Sequence, residues 1–278
     1  MTDRTITRGT HKGYNYYKVD GFTMPSPSKI KLSPVYLDQY HAEQAVDAVD
    51  DLWTELTMIP EGSTRRRLLM DAIKTNYEYA AKRGRECHRL MEALVHGEPA
   101  VVGDPDIVTD QLLARRCQTD SSILRDAEAA ARALTQYQIE PVVAEQPVVN
   151  TDWWYSGTLD LIATSPVWDY APAVFDYKFT RDVYPDMALQ MSAYNHATNT
   201  IVETMDGKRA VYTLGKMPSV LRTTAYILQT RGGVSQLVPV KTDGFVWDTV
   251  TAFVESWWQW APNKDNALSP RVGGNPDD

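Results

Sequence analysis

Residues 153–180 read WWYSGTLDLIATSPVWDYAPAVFDYKFT, and the texture of this stretch decides the fold. Its two ends, 153–164 and 173–180, are rich in β-branched and aromatic residues, and the Pro-bounded SPVWDYAP between them reads as a turn. PVVAEQPVV (141–149) precedes them across the turn residues Asn150-Thr151-Asp152, so a three-stranded meander is predicted. Alternation then puts Asp176 and Lys178 on one face of their strand, with Phe175, Tyr177 and Phe179 on the other. Asp160 sits inside the apolar run GTLDLIA, where a carboxylate needs a partner.

That need points to chemistry. A salt bridge to Lys178 satisfies one acid and leaves the second, whereas a bound divalent cation satisfies both, and hard oxygen ligands suit Mg²⁺ or Mn²⁺. A lone Asp or Lys in a strand is ordinarily just solvent-facing. Glu145, Asp160, Asp176 and Lys178 together on adjacent strands of one meander indicate a site, with Glu145 an extra ligand or an orienting carboxylate.

On either side the pattern is mostly helical and then mixed. YNYYKVDGF (14–22) predicts a strand ending at the Asp20-Gly21 turn, and TMPSPSKI predicts a loop. Helical composition follows over 34–56, over 64–97 as two helices broken near Gly84, and over 121–138. Beyond the meander come a helix at 187–201 and strands at 210–214, 223–230 and 236–241, the last two joined by an Arg231-Gly232-Gly233 turn. A C-terminal helix spans 245–260, with Val246, Val250, Phe253, Val254 and Trp257 at helical spacing. The expected class is α/β (α+β): a mostly helical part over 1–140 packed on a sheet-and-helix core over 141–262, with a polar, frayed tail at 263–278.

Composition limits the functions available. The 278 residues carry 28 Lys+Arg against 36 Asp+Glu, a net charge of −8, which argues against broad electrostatic wrapping of nucleic acid. Eight Trp, 15 Tyr and 5 Phe supply enough apolar surface for a folded core. There is no apolar N-terminal segment of the secretory kind and no apolar run long enough for a transmembrane helix. Cys87 and Cys117 cannot make a four-Cys site and are expected as small buried side chains in a reducing cytosol. Neither a GxxxxGK[ST] loop nor HExxH occurs, which removes a fused helicase motor and a two-His metalloprotease.

Four short motifs in order carry a resemblance: RGRECHRLME (83–92), GTLD (157–160), VFDYK (174–178) and LQMSAY (189–194). The set resembles the PD-(D/E)XK nuclease superfamily in its RecB-like exonuclease branch, with RG-x-x-H-x-x-x-E, G-x-x-D, D-x-K and Q-x-x-x-Y elements over roughly residues 80–200. The resemblance implies a restriction-endonuclease-like core, a mixed central sheet flanked by helices. It implies His88, Asp160, Asp176 and the Tyr177 backbone carbonyl as ligands of Mg²⁺ or Mn²⁺, Lys178 as the catalytic lysine, and Gln190 and Tyr194 as residues that steady the site or contact substrate. Asp176 stands where much of the superfamily has Glu. The four cysteines of the iron–sulfur members are missing, so no iron–sulfur cluster is expected.

The function so implied is a metal-dependent DNA nuclease, an exonuclease acting on single- or double-stranded ends in phage DNA replication or recombination. It would work in the host cytoplasm, away from membranes, with a recombination or replication protein as partner. The rival classes are a non-catalytic DNA-binding or assembly subunit with the same fold, and a hydrolase using the same carboxylates on another substrate. Between Arg65 and Arg89, eight cations face three acids, a local +5 that can track a phosphate backbone or serve merely as a solvated face. The Trp153-Trp154-Tyr155 run offers rings for base stacking or for the core. Trp257, Trp258 and Trp260 read as packing or partner-surface residues.

Overall fold

The computed structural model describes residues 4–11, 14–27, 45–46, 48–50, 52–59, 62–103 and 116–260. Most of the helical stretch expected over 34–56, and the tail expected at 263–278, lie outside these. A single mixed sheet of ten strands organises the described chain, in the order β10-β9-β6-β5-β4-β7-β8-β1-β2-β3. The predicted meander forms its centre: β4 (Glu140–Asn150), β5 (Tyr155–Thr164) and β6 (Ala173–Lys178), paired antiparallel. β9 (Thr224–Arg231) then lies parallel to β6, and β10 (Val234–Lys241) closes that edge.

A parallel pair needs a crossover, and the helix Pro185–Asn195 lies within it. Pro185 starts this helix, where its missing N–H costs nothing, and it stops at Asn195 rather than at 201 as expected. The β-branched run that follows belongs instead to a strand, β7 (Asn199–Asp206), which forms a hairpin with β8 (Arg209–Lys216). β1 (Ile6–His11), a strand the sequence pattern did not reveal, joins β8. It pairs in turn with β2 (Tyr14–Val19), which leads through the expected Asp20-Gly21 turn into β3 (Phe22–Thr23). Both turn residues have positive φ, 51° and 86°, as a tight hairpin turn requires. The N-terminal strands therefore extend the same sheet as the meander.

Helices cover the central strands on both faces. Among the described residues the helices in chain order are α1 (Trp53–Met58), α2 (Ser63–His96), α3 (Ser121–Gln136), α4 (Pro185–Asn195) and α5 (Phe245–Trp260), of which α2, α3 and α4 provide that cover. On one face Leu90 and Met91 of α2 and Ile123, Ala127 and Ala130 of α3 pack on Leu161, Ala163, Phe175 and Leu228. On the other, Met187, Met191 and Tyr194 of α4 pack on Val148, Leu159, Ile162, Val174 and Ile227. Burial on both faces explains why β6 reads as an apolar run broken only by Asp176 and Lys178.

α2 is one continuous helix of 34 residues, not two broken at Gly84. A single interior glycine costs a helix about 1 kcal/mol relative to alanine, which the packing of the C-terminal half readily offsets. Gly97 ends it in the left-handed conformation (φ 71°), returning its N–H to carbonyls of the last turn. Asp120 caps α3 by accepting from the Ser122 N–H at 2.9 Å. Among the described residues no helix is long and apolar enough to cross a membrane.

Candidate metal centre at the β5–β6 fork

Strands β5 and β6 pair through Leu161–Phe175, Ile162–Val174 and Ala163–Ala173, and then the ladder stops. Asp160 and Asp176 are the next residues along. With no β5 residue paired opposite, the Tyr177 N–H donates instead to Asp160 Oδ2 at 3.1 Å, so a carboxylate stands in for the missing backbone acceptor on that side. Leu159 packs on the α4 side of the sheet while Leu161 packs on the α2–α3 side. Strict alternation would put both on one face. β5 therefore changes face at Asp160. On β4 the residue between the pairs Gln146–Leu159 and Ala144–Leu161 is Glu145, a non-glycine residue with φ 46°. Irregular backbone of this kind is concentrated where strands re-aim side chains.

The helix α2 brings the third element of the site. His88 Nε2 stands 3.2 Å from the Tyr177 carbonyl oxygen and 3.7 Å from Asp160 Oδ2. Its ring meets Tyr177 and Phe179 edge-on, at centroid distances of 5.3 and 5.4 Å. Burial lowers the His88 pKa, against the pull of Asp176, so the imidazole is neutral at neutral pH. A neutral imidazole is the form that ligates metals.

Asp176 is 1% exposed, and the Lys178 ammonium lies against its Oδ2, the i, i+2 neighbourhood expected from the strand. That oxygen has no hydrogen bond of ordinary geometry besides this ion pair. Burial, then the charge of Asp160, push the Asp176 carboxyl up to about 6, in spite of Lys178. For Lys178 burial opposes the charge, but Asp176 and Asp160 outweigh it and hold the ammonium above its ordinary value. Glu145 is open to solvent on one side and crowded by protein on the other. Loss of water, then the charges of Asp160, Glu92 and Asp176, push its carboxyl up to about 7.

Two further residues named by the resemblance lie on α4. Gln190 donates to the Tyr194 hydroxyl at 3.4 Å on α4, and Tyr194 is 6% exposed. Burial raises the Tyr194 pKa, keeping a neutral hydroxyl. Gly157 is required by close approach: a Cβ there would stand 2.7 Å from Pro27 Cδ and 3.0 Å from Tyr194 Cε1. The glycine of the G-x-x-D element thus lets β5 lie against the loop at Pro27 and the α4 tyrosine.

The structure brings together His88, Asp160, Asp176, Tyr177 and Lys178, with Glu145 beside them. It adds Glu92, one turn beyond His88, whose charge bears on His88, Tyr177 and Glu145. Glu92 is the last residue of the RG-x-x-H-x-x-x-E element, and its spacing from His88 already puts both on one helical face. Tyr155 stands apart from the site, fully buried with its hydroxyl donating to the Ala193 carbonyl at 2.7 Å. Trp153 packs on Trp247, and Trp154 lies under the Arg4 guanidinium. Trp258 donates to the Trp154 carbonyl, a packing role. Cys87 and Cys117 are fully buried and unpaired by disulfide, and burial pushes the Cys87 thiol up to about 12.

Among the described residues, no three His, Cys, Asp or Glu side chains are spaced to enclose a metal ion by themselves. The donor set at the fork is mixed instead: an imidazole nitrogen stands 3.2 Å from a main-chain carbonyl and 3.7 Å from a carboxylate oxygen. Ligands at adjacent corners of a Mg²⁺ octahedron stand about 3 Å apart, given metal–oxygen bonds of about 2.1 Å. Together with the buried Asp176 oxygen that lacks an ordinary hydrogen bond, this set fits a hard divalent cation. No protein-family model matches the chain, and no curated protein matches it in sequence.

Proposed function

We propose that the protein is a metal-dependent DNA nuclease, an exonuclease that hydrolyses phosphodiester bonds in phage DNA replication or recombination. The observation that carries this is the meeting of His88, from a helix 89 residues upstream of Tyr177, with Asp160, Asp176 and Lys178 at the fork of β5 and β6. The order of helix, three-stranded meander, crossover helix and parallel strand supports a restriction-endonuclease-like core.

His88, Asp160, Asp176 and the Tyr177 carbonyl would hold Mg²⁺ or Mn²⁺, with Glu145 at its edge. When bound, such an ion polarises a scissile phosphate and lowers the pKa of a coordinated water. The chain's own groups do the rest. Lys178 keeps its proton, so it serves as a cation that orients the attacking water or stabilises charge developing on the phosphate, not as a general base. Gln190 and Tyr194 steady the floor of the site from α4. The low dielectric created by β6 and its flanking helices strengthens each of these interactions.

Incubation with end-labelled linear DNA and closed circular DNA in Mg²⁺ or Mn²⁺, with an EDTA control, tests the proposal. Metal-dependent loss of the linear substrate with the circle intact is the expected result. Nicking of the circle would make the enzyme an endonuclease, and no metal-dependent cleavage of either would overturn the proposal.

A further inference from the structure

We infer that the exposed stripe of α2 running from Arg67 through Lys74 and Arg85 to His88 is the track along which the phosphate backbone of a nucleic-acid strand reaches the acidic cluster. This rests on the nuclease reading and adds the surface that such an enzyme needs to guide its substrate. Because α2 is unbroken, the basic segment and His88 belong to one rigid rod. From Ser63 to Lys82 none of its residues is buried, a length of about 30 Å at 1.5 Å per residue.

The helical repeat sorts the charges of that rod. At 100° per residue, Arg67, Lys74 and Arg85 fall within about 60° of His88, and all three are exposed, Lys74 with 76% of its side chain accessible. Arg83 lies on the opposite side, buried, with its guanidinium 2.5 Å from Asp126 Oδ2 and 3.3 Å from Asp120 Oδ2. Arg89 is held by Glu86 at 2.7 Å. Arg83 and Arg89 are therefore tied down within the fold, Arg65 is half-buried with its guanidinium on the Ile59 carbonyl, and Lys74 stands 3.9 Å from Glu78 in an exposed pair, so the charge that faces outward is carried by the exposed Arg66, Arg67, Lys74 and Arg85. Ser63–Lys82 alone has five cations against two acids, a net +3 on a chain of −8. Such a local excess is complementary to a polyphosphate and is masked in the overall sum.

Gly84 supplies an independent indication. It lies one turn before His88 on the same face, and a Cβ there would meet, beyond its own helix backbone, no atom of the described residues within 4 Å. Neither its φ nor the packing of this chain demands glycine, yet it costs the helix about 1 kcal/mol relative to alanine. A bare backbone at this point lets a ligand lie close against the helix immediately before the cluster.

The test is binding of a fluorescein-labelled strand of about 30 nucleotides, single and duplex, followed by anisotropy in EDTA across roughly 50–300 mM salt. The R66Q/R67Q/K74Q variant keeps good helix formers and is compared with wild type and with K208Q/R209Q, which removes two exposed cations at the β7–β8 turn. The expected result is binding on the order of 10-fold weaker for the helix variant and a log–log salt slope smaller by about 2 for the single strand, with less than about twofold change in the control. Gly84→Leu, which alters no charge, is expected to weaken binding as well. Wild-type affinity and slope in the helix variant would overturn the inference, as would an equal loss in the control. Loss of binding to anionic phospholipid vesicles with DNA binding intact would overturn it too. Cleavage assays separate the two claims. If wild type cuts and the helix variant binds and cuts like wild type, the track fails while the nuclease stands. If wild type does not cut but the helix variant alone loses DNA, the nuclease fails while the track stands.

Discussion

The two halves of the ten-stranded sheet are built on different physical terms. β5, β6 and β9 are sealed between α4 on one face and α2 and α3 on the other, with β4 joining them only at its buried end, Val148–Asn150, and five of the six residues of β6 are buried. β7, β8, β1 and β2 form an antiparallel half whose hairpin β7–β8 is largely exposed beyond Ile201. In the open half, ion pairs such as Arg8–Glu203 (3.4 Å) and Arg4–Asp20 (3.3 Å) remain solvent-accessible. In the sealed half, a carboxylate such as Asp176 is pushed up to about 6 by lost water and by its neighbour Asp160. Surface charges cost the fold little. Charges between helices are tolerated only with a lysine or a cation beside them, and that is where chemistry can be done.

The strongest effect falls at the fork of β5 and β6. Alanine at Lys178 or at Asp176 should reduce Mg²⁺-dependent DNA degradation by on the order of 10³-fold, read as product formed per unit time. Alanine at Arg8 or Glu203 should leave both activity and stability within about 0.5 kcal/mol of wild type. Retained cleavage in both Lys178→Ala and Asp176→Ala would remove the sealed half's claim to the chemistry.

Packing gives the next effect. Phe175→Ala, in the fully buried centre of β6, should cost about 3–5 kcal/mol in urea unfolding. Val211→Ala on the exposed β8 should cost within about 0.5 kcal/mol. Equal losses would show that the open half is covered in solution.

Acid–base behaviour sharpens the contrast further. Glu145 and Asp176 both have raised pKa values in the folded protein, so their favourable contribution is complete below the ordinary carboxylate range. It is lost as pH rises through about 6 for Asp176 and about 7 for Glu145. Glu145→Gln, measured in EDTA, should therefore raise the melting temperature by about 2–4 °C at pH 8, allowing for partial solvent screening, and by nothing at pH 4. A shift of the same size at both pH values would assign the gain to something other than charge. The smallest effect is at Gly84, where alanine should stabilise by about 0.5–1 kcal/mol while weakening DNA binding.

Much of the sealed half was legible in the sequence. Strand texture located β4, β5 and β6, alternation placed Asp176 beside Lys178, and the motif order brought His88 to Asp160 and Gln190 to Tyr194. The rest depends on contacts that local pattern does not encode. β1 is held by pairing with β2 and with β8, about 200 residues away. The helix–strand boundary is not marked locally, since no Gly or Pro separates Asn195 from Asn199, and only pairing with β8 fixes where β7 begins. Nothing in GTLDLIA announces that β5 changes face at Asp160, since each residue suits both faces of a doubly covered sheet. Arg83 looked like one more surface cation, and only the approach of Asp126 from α3 makes it an interior strut. Gly84 suggested a break because propensity is a weak guide once tertiary packing holds a helix.

The central claim is that one cluster both holds a divalent cation and cuts DNA, and Mn²⁺ titration followed by the EPR signal of the free ion tests it most directly. Wild type at pH 8 should take up Mn²⁺, with DNA cleavage rising over the same concentrations, and Asp160→Asn with Asp176→Asn should lose uptake and cleavage together. Cleavage that persists in EDTA, or Mn²⁺ uptake unchanged in the double variant, would contradict it.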